Sequence, residues 1–233
     1  MNKKIITTAA LIIISAIAIS QESFTVKMNL KIEGLPPEYA GFGEQEMVNY
    51  FKGEKYKSEM SSMMGSSTTS FDGKKITQIS EAMGEKTGFT ATKEEMEEAN
   101  KSEKAETKPK IEYTSEKKTI AGYECTKAIV TTTDKEKKEN KVNVWVTDKI
   151  KTPEKKIKSR SMGPDFGDLK GYPLEIEMKQ KQGEMDMKIM ITCSSVSTGA
   201  LEDGLFDLKT DGYKMVSYKE HQEKMKAQAG RGH

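Results

Sequence analysis

Strict alternation of apolar and polar side chains is the feature that most constrains the fold of this chain. From Phe24 to Ile32 every second residue is apolar, and the residues between are Thr, Lys, Asn and Lys. A period of two returns at residues 142–146 and 185–193. Successive side chains of a β-strand point to opposite faces, so this pattern is typical of strands with one buried face. We therefore predict a mainly β protein.

Turn signals between the alternating runs indicate how the strands connect. Asp72-Gly73 lies between two short strand-like runs and is the strongest hairpin signal in the chain. Short turns join antiparallel neighbours, which favours an antiparallel sheet over a parallel α/β fold. Thr92 and Glu95 have the spacing of a capping box, so one short helix is expected there. The connection 149–171 has a length that is usual for functional loops.

The N-terminal segment has the layout of a secretory signal peptide. Lys3 and Lys4 form a basic leader, residues 5–19 are mostly apolar, and Ala18 and Ser20 are small. We predict cleavage near Ser20, a signal peptide over 1–20 and a periplasmic or secreted mature chain. An uncleaved anchor is disfavoured because a membrane span needs about 20 apolar residues. No transmembrane segment is expected in the mature chain.

The remaining chain is expected to be one β-rich domain over 21–218, followed by a polar flexible tail over 219–233. The net charge of +2 comes from Lys3 and Lys4 of the leader, so the mature chain is close to neutral. Nucleic-acid binding depends on a surplus of Lys and Arg at phosphates. We therefore expect no nucleic-acid partner.

The two cysteines, Cys125 and Cys193, form a candidate disulfide. An even number of cysteines outside the cytoplasm favours a bridge. In a simple meander, however, two other strands would separate the strands of these cysteines, so sheet curvature or another strand order is needed. The alternative is a pair of buried thiols that act as small apolar side chains.

No motif in the sequence supports catalysis. The two histidines, His221 and His233, both lie near the C-terminus, so a Ser-His-Asp or Cys-His arrangement lacks its base. Two isolated cysteines do not make a zinc site, and there is no Gly-rich phosphate-binding loop. We expect a protein that is not an enzyme and that has no metal and no cofactor.

Methionine is the unusual component, with 15 residues. Tyr56, Met60 and Met64 share one side of a predicted strand, and Trp145 stands apart from a row of valines. Methionine is flexible and polarisable, so surfaces rich in it adapt to varied apolar ligands. Tyr56, Met60, Met64 and Trp145 are therefore the candidate ligand-binding residues. The alternative is that the methionines simply fill a core.

Several ordered segments also resemble the LolA/LolB-like superfamily, in particular its uncharacterised secreted branches. The segments that carry the resemblance are Tyr50–Met60, Phe71–Lys75, Lys118–Lys127, Val144–Thr147 and Gly171–Glu175, with Phe206 and Gly212-Tyr213 after them. The resemblance implies a curved antiparallel sheet that forms an unclosed β-barrel with one or two short helices.

The same resemblance implies a function without catalysis. Its best-known members carry lipoproteins across the periplasm or bind lipid-like ligands. By analogy, this chain would bind a hydrophobic or lipid-like ligand in the concavity of its sheet. The alternative is an envelope interaction or scaffold module with a filled core, whose partner is an envelope protein.

Overall fold

The computed structural model describes residues 23–102, 108–133, 139–151, 166, 168–182 and 185–229. The predicted signal peptide lies outside these residues, as do most of the connection 149–171 and the last residues of the chain. Within the described ranges, no helix combines the length and the apolar character needed to cross a membrane.

Twelve strands form one sheet, and the strands at its two edges do not pair with each other. The strands are β1 (Ser23–Glu33), β2 (Glu44–Lys52), β3 (Lys55–Ser62), β4 (Gly65–Phe71), β5 (Lys75–Ala82), β6 (Glu85–Thr92), β7 (Lys110–Ile120), β8 (Tyr123–Thr133), β9 (Glu139–Thr147), β10 (Tyr172–Gln182), β11 (Met185–Thr198) and β12 (Lys214–Ser217). Their order is β12-β6-β5-β4-β3-β2-β1-β11-β10-β9-β8-β7. The predicted unclosed, mainly β barrel is confirmed.

The sheet consists of two meanders that meet at its first strand. β2 to β6 form one run of antiparallel hairpins and β7 to β11 form the other, while β1 pairs with both β2 and β11. Among the described strands, only β12 is parallel to its neighbour, β6. The described residues also contain the helices α1 (Lys93–Ser102) and α2 (Tyr218–Ala229) and the short 3-10 segments Pro37–Phe42 and Asp203–Phe206.

The local signals at the first helix and at the Asp72 turn are confirmed. The Thr92 N–H donates to Glu95 Oε2 at 2.8 Å, and the Glu95 N–H donates to Thr92 Oγ1 at 3.2 Å, which is a reciprocal capping box. Asp72 Oδ1 accepts the N–H groups of Lys74 and Lys75 at 2.8 and 2.9 Å. Partial burial acts to raise the pKa of Asp72, but these backbone donors hold it below its ordinary value.

The methionine-containing turns were not predicted. β3 ends at Ser62 and not at Met64 as the alternation suggests, because the chain reverses through Met63 and Met64 to Gly65. β5 reverses into β6 at Met83, whose φ of 52° lies in the left-handed region. Gly, Asn and Asp are the usual signals of such turns. A glycine does follow in each turn, at Gly65 and Gly84, but the residue before it is a methionine, which is not one of these signals.

The C-terminal segment is also more ordered than its polar composition indicates. Residues 219–233 were predicted as a tail, but the helix α2 runs over Tyr218–Ala229. The ring of Tyr218 lies 5.4 Å from that of Phe89, and the His221 ring stacks on Phe89 at 4.2 Å. Two rings one helical turn apart therefore hold α2 against β6, a contact that composition does not show.

Candidate functional site

The sheet buries one face, which we call the inner face, and the two ends of this face differ. At the closed end, aromatic rings from both meanders pack together. Phe24 stacks on Phe51 with centroids 4.6 Å apart, and Tyr172 meets Phe24 edge-on at 5.7 Å. Met96 of α1 belongs to the same buried cluster. The closed end is therefore filled by the chain itself.

Tyr56 belongs to this filled end. Its hydroxyl donates to Asn49 Oδ1 at 3.1 Å, and its ring centroid lies 5.2 Å from that of Phe51. Burial raises the pKa of Tyr56 to about 12. Tyr56 was predicted as a ligand-binding residue, but its side chain is 6% exposed and belongs to the packed cluster of the closed end.

The second meander is covered along its inner face. Val130, Val144 and Ile176 form a buried cluster with Phe166. Leu169 also packs against this cluster. Phe166 and Leu169 belong to the connection between β9 and β10, so the described part of that connection covers β8 to β10. The prediction that this connection is a functional loop stays a prediction.

The other end of the first meander, which we call the open end, is less buried. Leu30, Met47, Met60 and Ile189 face inward there and are only half-buried. Met60 lines an open cavity of about 230 Å³. The rest of the lining comes from β2 to β5 and the turn between β3 and β4, and it consists of Met64, Gln45, Gly65, Glu81, Ala82, Ser61, Ser62, Ser66, Ser67 and Ser80.

Of the four predicted ligand-binding residues, the structure brings Met60 and Met64 together at this cavity. Sequence analysis missed Met47 and Gln45. Met47 pairs directly with Met60 across β2 and β3, and Gln45 pairs with Leu30 of β1. The alternation within a single strand shows which face a residue occupies but not which residue of the next strand it meets. Cross-strand register was therefore the missing information.

Trp145 points away from its valine neighbours, and its half-buried ring also packs against the edge of the large buried cluster. Its neighbours in the chain, Val144 and Val146, face inward, whereas Trp145 pairs with Lys127 and Glu175. Lys118 Nζ lies 4.3 Å from the centre of the indole ring, and it donates to Glu175 Oε1 at 2.5 Å. The structure thus separates Trp145 from Met60 and Met64, and we leave it out of the candidate site.

Cys125 and Cys193 are free thiols, and both are buried in the large hydrophobic cluster that extends from the rings of the closed end to Met28. They lie on β8 and β11, with β9 and β10 between, as the meander predicts. Burial raises the pKa of the Cys193 thiol to about 11 and also raises the pKa of Cys125. Protonated thiols are poor nucleophiles, so neither cysteine has the character of a reactive residue. The disulfide stays a prediction.

Acidic, cysteine and histidine side chains do not cluster in the described part of the chain. There, no group of three such residues lies close enough to hold a metal ion. The cavity at the open end instead combines the apolar side chains of Met60, Met64 and Ala82 with five serines, and Glu81 is the charged residue of its lining. Such a surface suits an apolar ligand better than a charged one.

A family model described as "Domain of unknown function (DUF4412)" matches residues 24–212, from the start of β1 to the approach of β12. The chain belongs to the DUF4412 family. Membership in a family of unknown function agrees with the uncharacterised branch that the sequence resembles. No curated protein matches this DUF4412 chain.

Solved structures share its general outline at very low identity. PNGF-II in the P21 space group is 14% identical with a TM-score of 0.44 over 87% of this chain, which spans only 33% of the PNGF-II chain. An uncharacterized conserved protein from Thermus thermophilus is 6% identical with a TM-score of 0.47, over 85% of this chain and 91% of its own. A putative outer membrane lipoprotein-sorting protein domain from Vibrio parahaemolyticus is 10% identical with a TM-score of 0.32, over 81% and 91%. With every TM-score below 0.5, we draw no function from these likenesses.

Proposed function

We propose that this DUF4412 chain is an exported, non-catalytic protein that binds a lipid-like or other hydrophobic ligand at the open end of its inner face. The observation that carries the proposal is the contrast in burial along that face. Rings fill the closed end, whereas Leu30, Met47 and Met60 stay half-buried beside a cavity. An inward-facing apolar surface that remains accessible is a candidate ligand site.

The chemistry of the lining supports an apolar ligand of variable shape. Met60 and Met64 have unbranched, flexible side chains that can repack around different occupants. The cavity of about 230 Å³ is smaller than a typical drug-sized pocket of about 300–1,000 Å³. A ligand such as an acyl chain would therefore insert one end while the rest lies along Leu30 and Ile189.

The predicted export of the chain also supports the binding of an apolar ligand. The basic, apolar and small-residue order of residues 1–20 predicts a signal peptide, and the mature chain would then meet lipid-like molecules in the cell envelope. Each methylene removed from water contributes about 0.8 kcal/mol, and binding must offset the translational and rotational freedom that the ligand loses. A long acyl chain is therefore favoured over a short one.

A second function is favoured by the outer face. Trp145 is half-buried between Lys127 and Glu175 and carries Lys118 above its ring. Tryptophan is enriched among the residues that dominate protein interfaces. The alternative proposal is therefore an envelope interaction module that uses this outer patch and binds no small ligand.

The ligand proposal is tested with a fluorescent fatty-acid probe and a matched pair of variants. Met60→Glu introduces a charge beside the cavity, whereas Met63→Glu introduces the same charge at a neighbouring turn residue that is 88% exposed. Burial of an unpaired carboxylate is costly, so we expect Met60→Glu to weaken probe binding by about tenfold or more. Met63→Glu should bind as the unmodified chain does.

Circular dichroism and thermal unfolding establish that both variants fold. If the probe does not bind to the unmodified chain, or if both variants bind it equally well, the ligand proposal is wrong. Native mass spectrometry of protein from the producing cells separates the two functions. Retained lipid-like mass supports the first, and a specific protein partner that is lost in Trp145→Ala supports the second.

A further inference from the structure

Four sulfur-containing residues form one row across the inner face, which we call the sulfur row. Cys193 of β11 pairs with Met28 of β1, Met28 pairs with Met47 of β2, and Met47 pairs with Met60 of β3. The row therefore crosses four adjacent strands without interruption. Met64 joins it at the open end, because Met60 and Met64 line the same cavity.

The rows of paired residues on either side of the sulfur row contain no sulfur. One step towards the open end, the paired residues are Ile191, Leu30 and Gln45. One step towards the closed end, they are Val196, Val26 and Asn49. Sulfur is thus concentrated in a single layer between rows that lack it, which general use of methionine as core filler does not require.

The spacing of a sheet lets neighbouring sulfur atoms of this row meet at one point. Directly paired residues of antiparallel strands have Cβ atoms about 4.5–5.5 Å apart. Methionine has three rotatable bonds, so the thioethers of Met47 and Met60 can turn towards a common atom, and Met64 can approach from the turn. Met47 and Met60 are half-buried, so an ion from solution can reach their thioethers. Met28 is only 6% exposed and is less accessible.

Thioether ligands select among metal ions. Soft sulfur ligands favour Cu(I), whereas carboxylates and imidazoles suit harder or borderline ions. The described residues contain no group of three His, Cys, Asp or Glu side chains that could hold a metal ion. A thioether also carries no proton to lose, unlike the thiols and imidazoles whose metal affinity depends on pH. The chemistry therefore distinguishes Cu(I) from Zn(II).

We propose that Met47, Met60 and Met64 form a binding site for a soft monovalent cation, Cu(I), at the open end of the inner face. Met28, which pairs with Met47 across β1 and β2, supplies a further thioether next to the site. The site shares Met60 and Met64 with the proposed apolar-ligand surface, but it depends on their sulfur atoms and not on binding of an apolar ligand.

The test measures metal binding to the full chain. Cu(I) is titrated without oxygen against a chromophoric Cu(I) chelator, and Ag(I) serves as a redox-inert soft probe in calorimetry. Met47→Leu/Met60→Leu removes two thioethers and retains apolar volume. The matched control, Met63→Leu/Met83→Leu, removes two thioethers whose side chains are 88% and 83% exposed and outside the row.

We expect one Cu(I) per chain and no competing Zn(II) binding. Mutation of residues that only support the ligands of a metal typically weakens metal affinity by about 10–100-fold. Loss of two ligands themselves should therefore weaken the affinity for Cu(I) by about 100-fold or more. The control should retain full affinity. Absence of Cu(I) and Ag(I) binding, equal affinity in all three proteins, or an equal loss in the control would overturn the proposal.

The fatty-acid probe separates this inference from the proposed function, because both ligands are measured on the unmodified chain. Binding of Cu(I) without binding of the probe supports the metal site and contradicts the apolar-ligand proposal. Binding of the probe without binding of Cu(I) or Ag(I) overturns the metal site and supports the proposed function alone. Thermal unfolding of Met47→Leu/Met60→Leu establishes that a loss of Cu(I) affinity does not come from loss of the fold.

Discussion

The closed and open ends of the inner face are built from the same strands but differ in what fills them. On β2, Phe51 lies at the closed end and Met47 at the open end, and on β3 the corresponding residues are Tyr56 and Met60. These positions are four residues apart on each strand, so all of them face inward. Alternation therefore decides which face of the sheet is buried, whereas the shape of the side chains decides whether that face is filled.

The largest effect should come from the closed end. Phe24→Ala removes a ring that stacks on Phe51 and meets Tyr172, and it leaves a cavity that the surrounding rings cannot fill. We expect the free energy of unfolding to fall by about 3–5 kcal/mol, measured by urea denaturation. A loss below about 1 kcal/mol would show that this end is not a tightly packed core.

A smaller loss is expected from one hydroxyl at the same end. Tyr56→Phe leaves the buried Asn49 Oδ1 without the donor that lies 3.1 Å away. An unsatisfied buried acceptor costs about 1–3 kcal/mol in the free energy of unfolding. Tyr50→Phe is the matched control, because its hydroxyl donates to Glu59 at a half-buried position of the outer face. An equal loss in both variants would contradict the difference in burial.

The open end should tolerate truncation better. Full burial makes Met→Ala cost about 2–5 kcal/mol, and Met60 is only half-buried, so we expect Met60→Ala to lower the free energy of unfolding by about 1–2 kcal/mol. Met63→Ala, at an exposed turn, should stay within about 0.5 kcal/mol of the unmodified chain. A loss at Met60 as large as that at Phe24 would abolish the distinction between the two ends.

The smallest effect concerns pH. Burial against Phe89 and the nearby charge of Lys224 lower the pKa of His221 below its ordinary value. The unfolded chain therefore binds this proton more readily, so the contribution of His221 is complete above the unfolded pKa and is lost as pH falls through the folded pKa. Thermal unfolding between pH 7.5 and 5 should show a steeper loss for the unmodified chain than for His221→Gln. Parallel curves would contradict it.

Much of the fold was predictable because it depends on local patterns. Alternation placed β1, Asp72-Gly73 placed the β4–β5 hairpin, and Thr92 with Glu95 placed the start of α1. The turn at Met83 and the helix α2 were missed, because Met83 adopts a backbone conformation that its side chain does not signal and α2 is held by contacts with Phe89.

The candidate site was predictable only in part. Met60 and Met64 could be paired from one strand and its following turn, and the structure brings them together at the cavity. Met47 depends on the register between β2 and β3, which no single strand encodes. Trp145 was selected because it stood apart from a valine row, and that same parity places it on the other face.

The central position of β1 has a consequence for when the molecule can assemble. β1 begins the described chain, yet one of its two partners is β11, and the Ser194 hydroxyl donates to the Lys27 carbonyl across 167 positions of sequence. Contacts of such long range slow folding, because a large loop must close before they form. The middle of the sheet therefore cannot be completed until β11 is available, so most of the polypeptide must be present before the first strand gains its second partner.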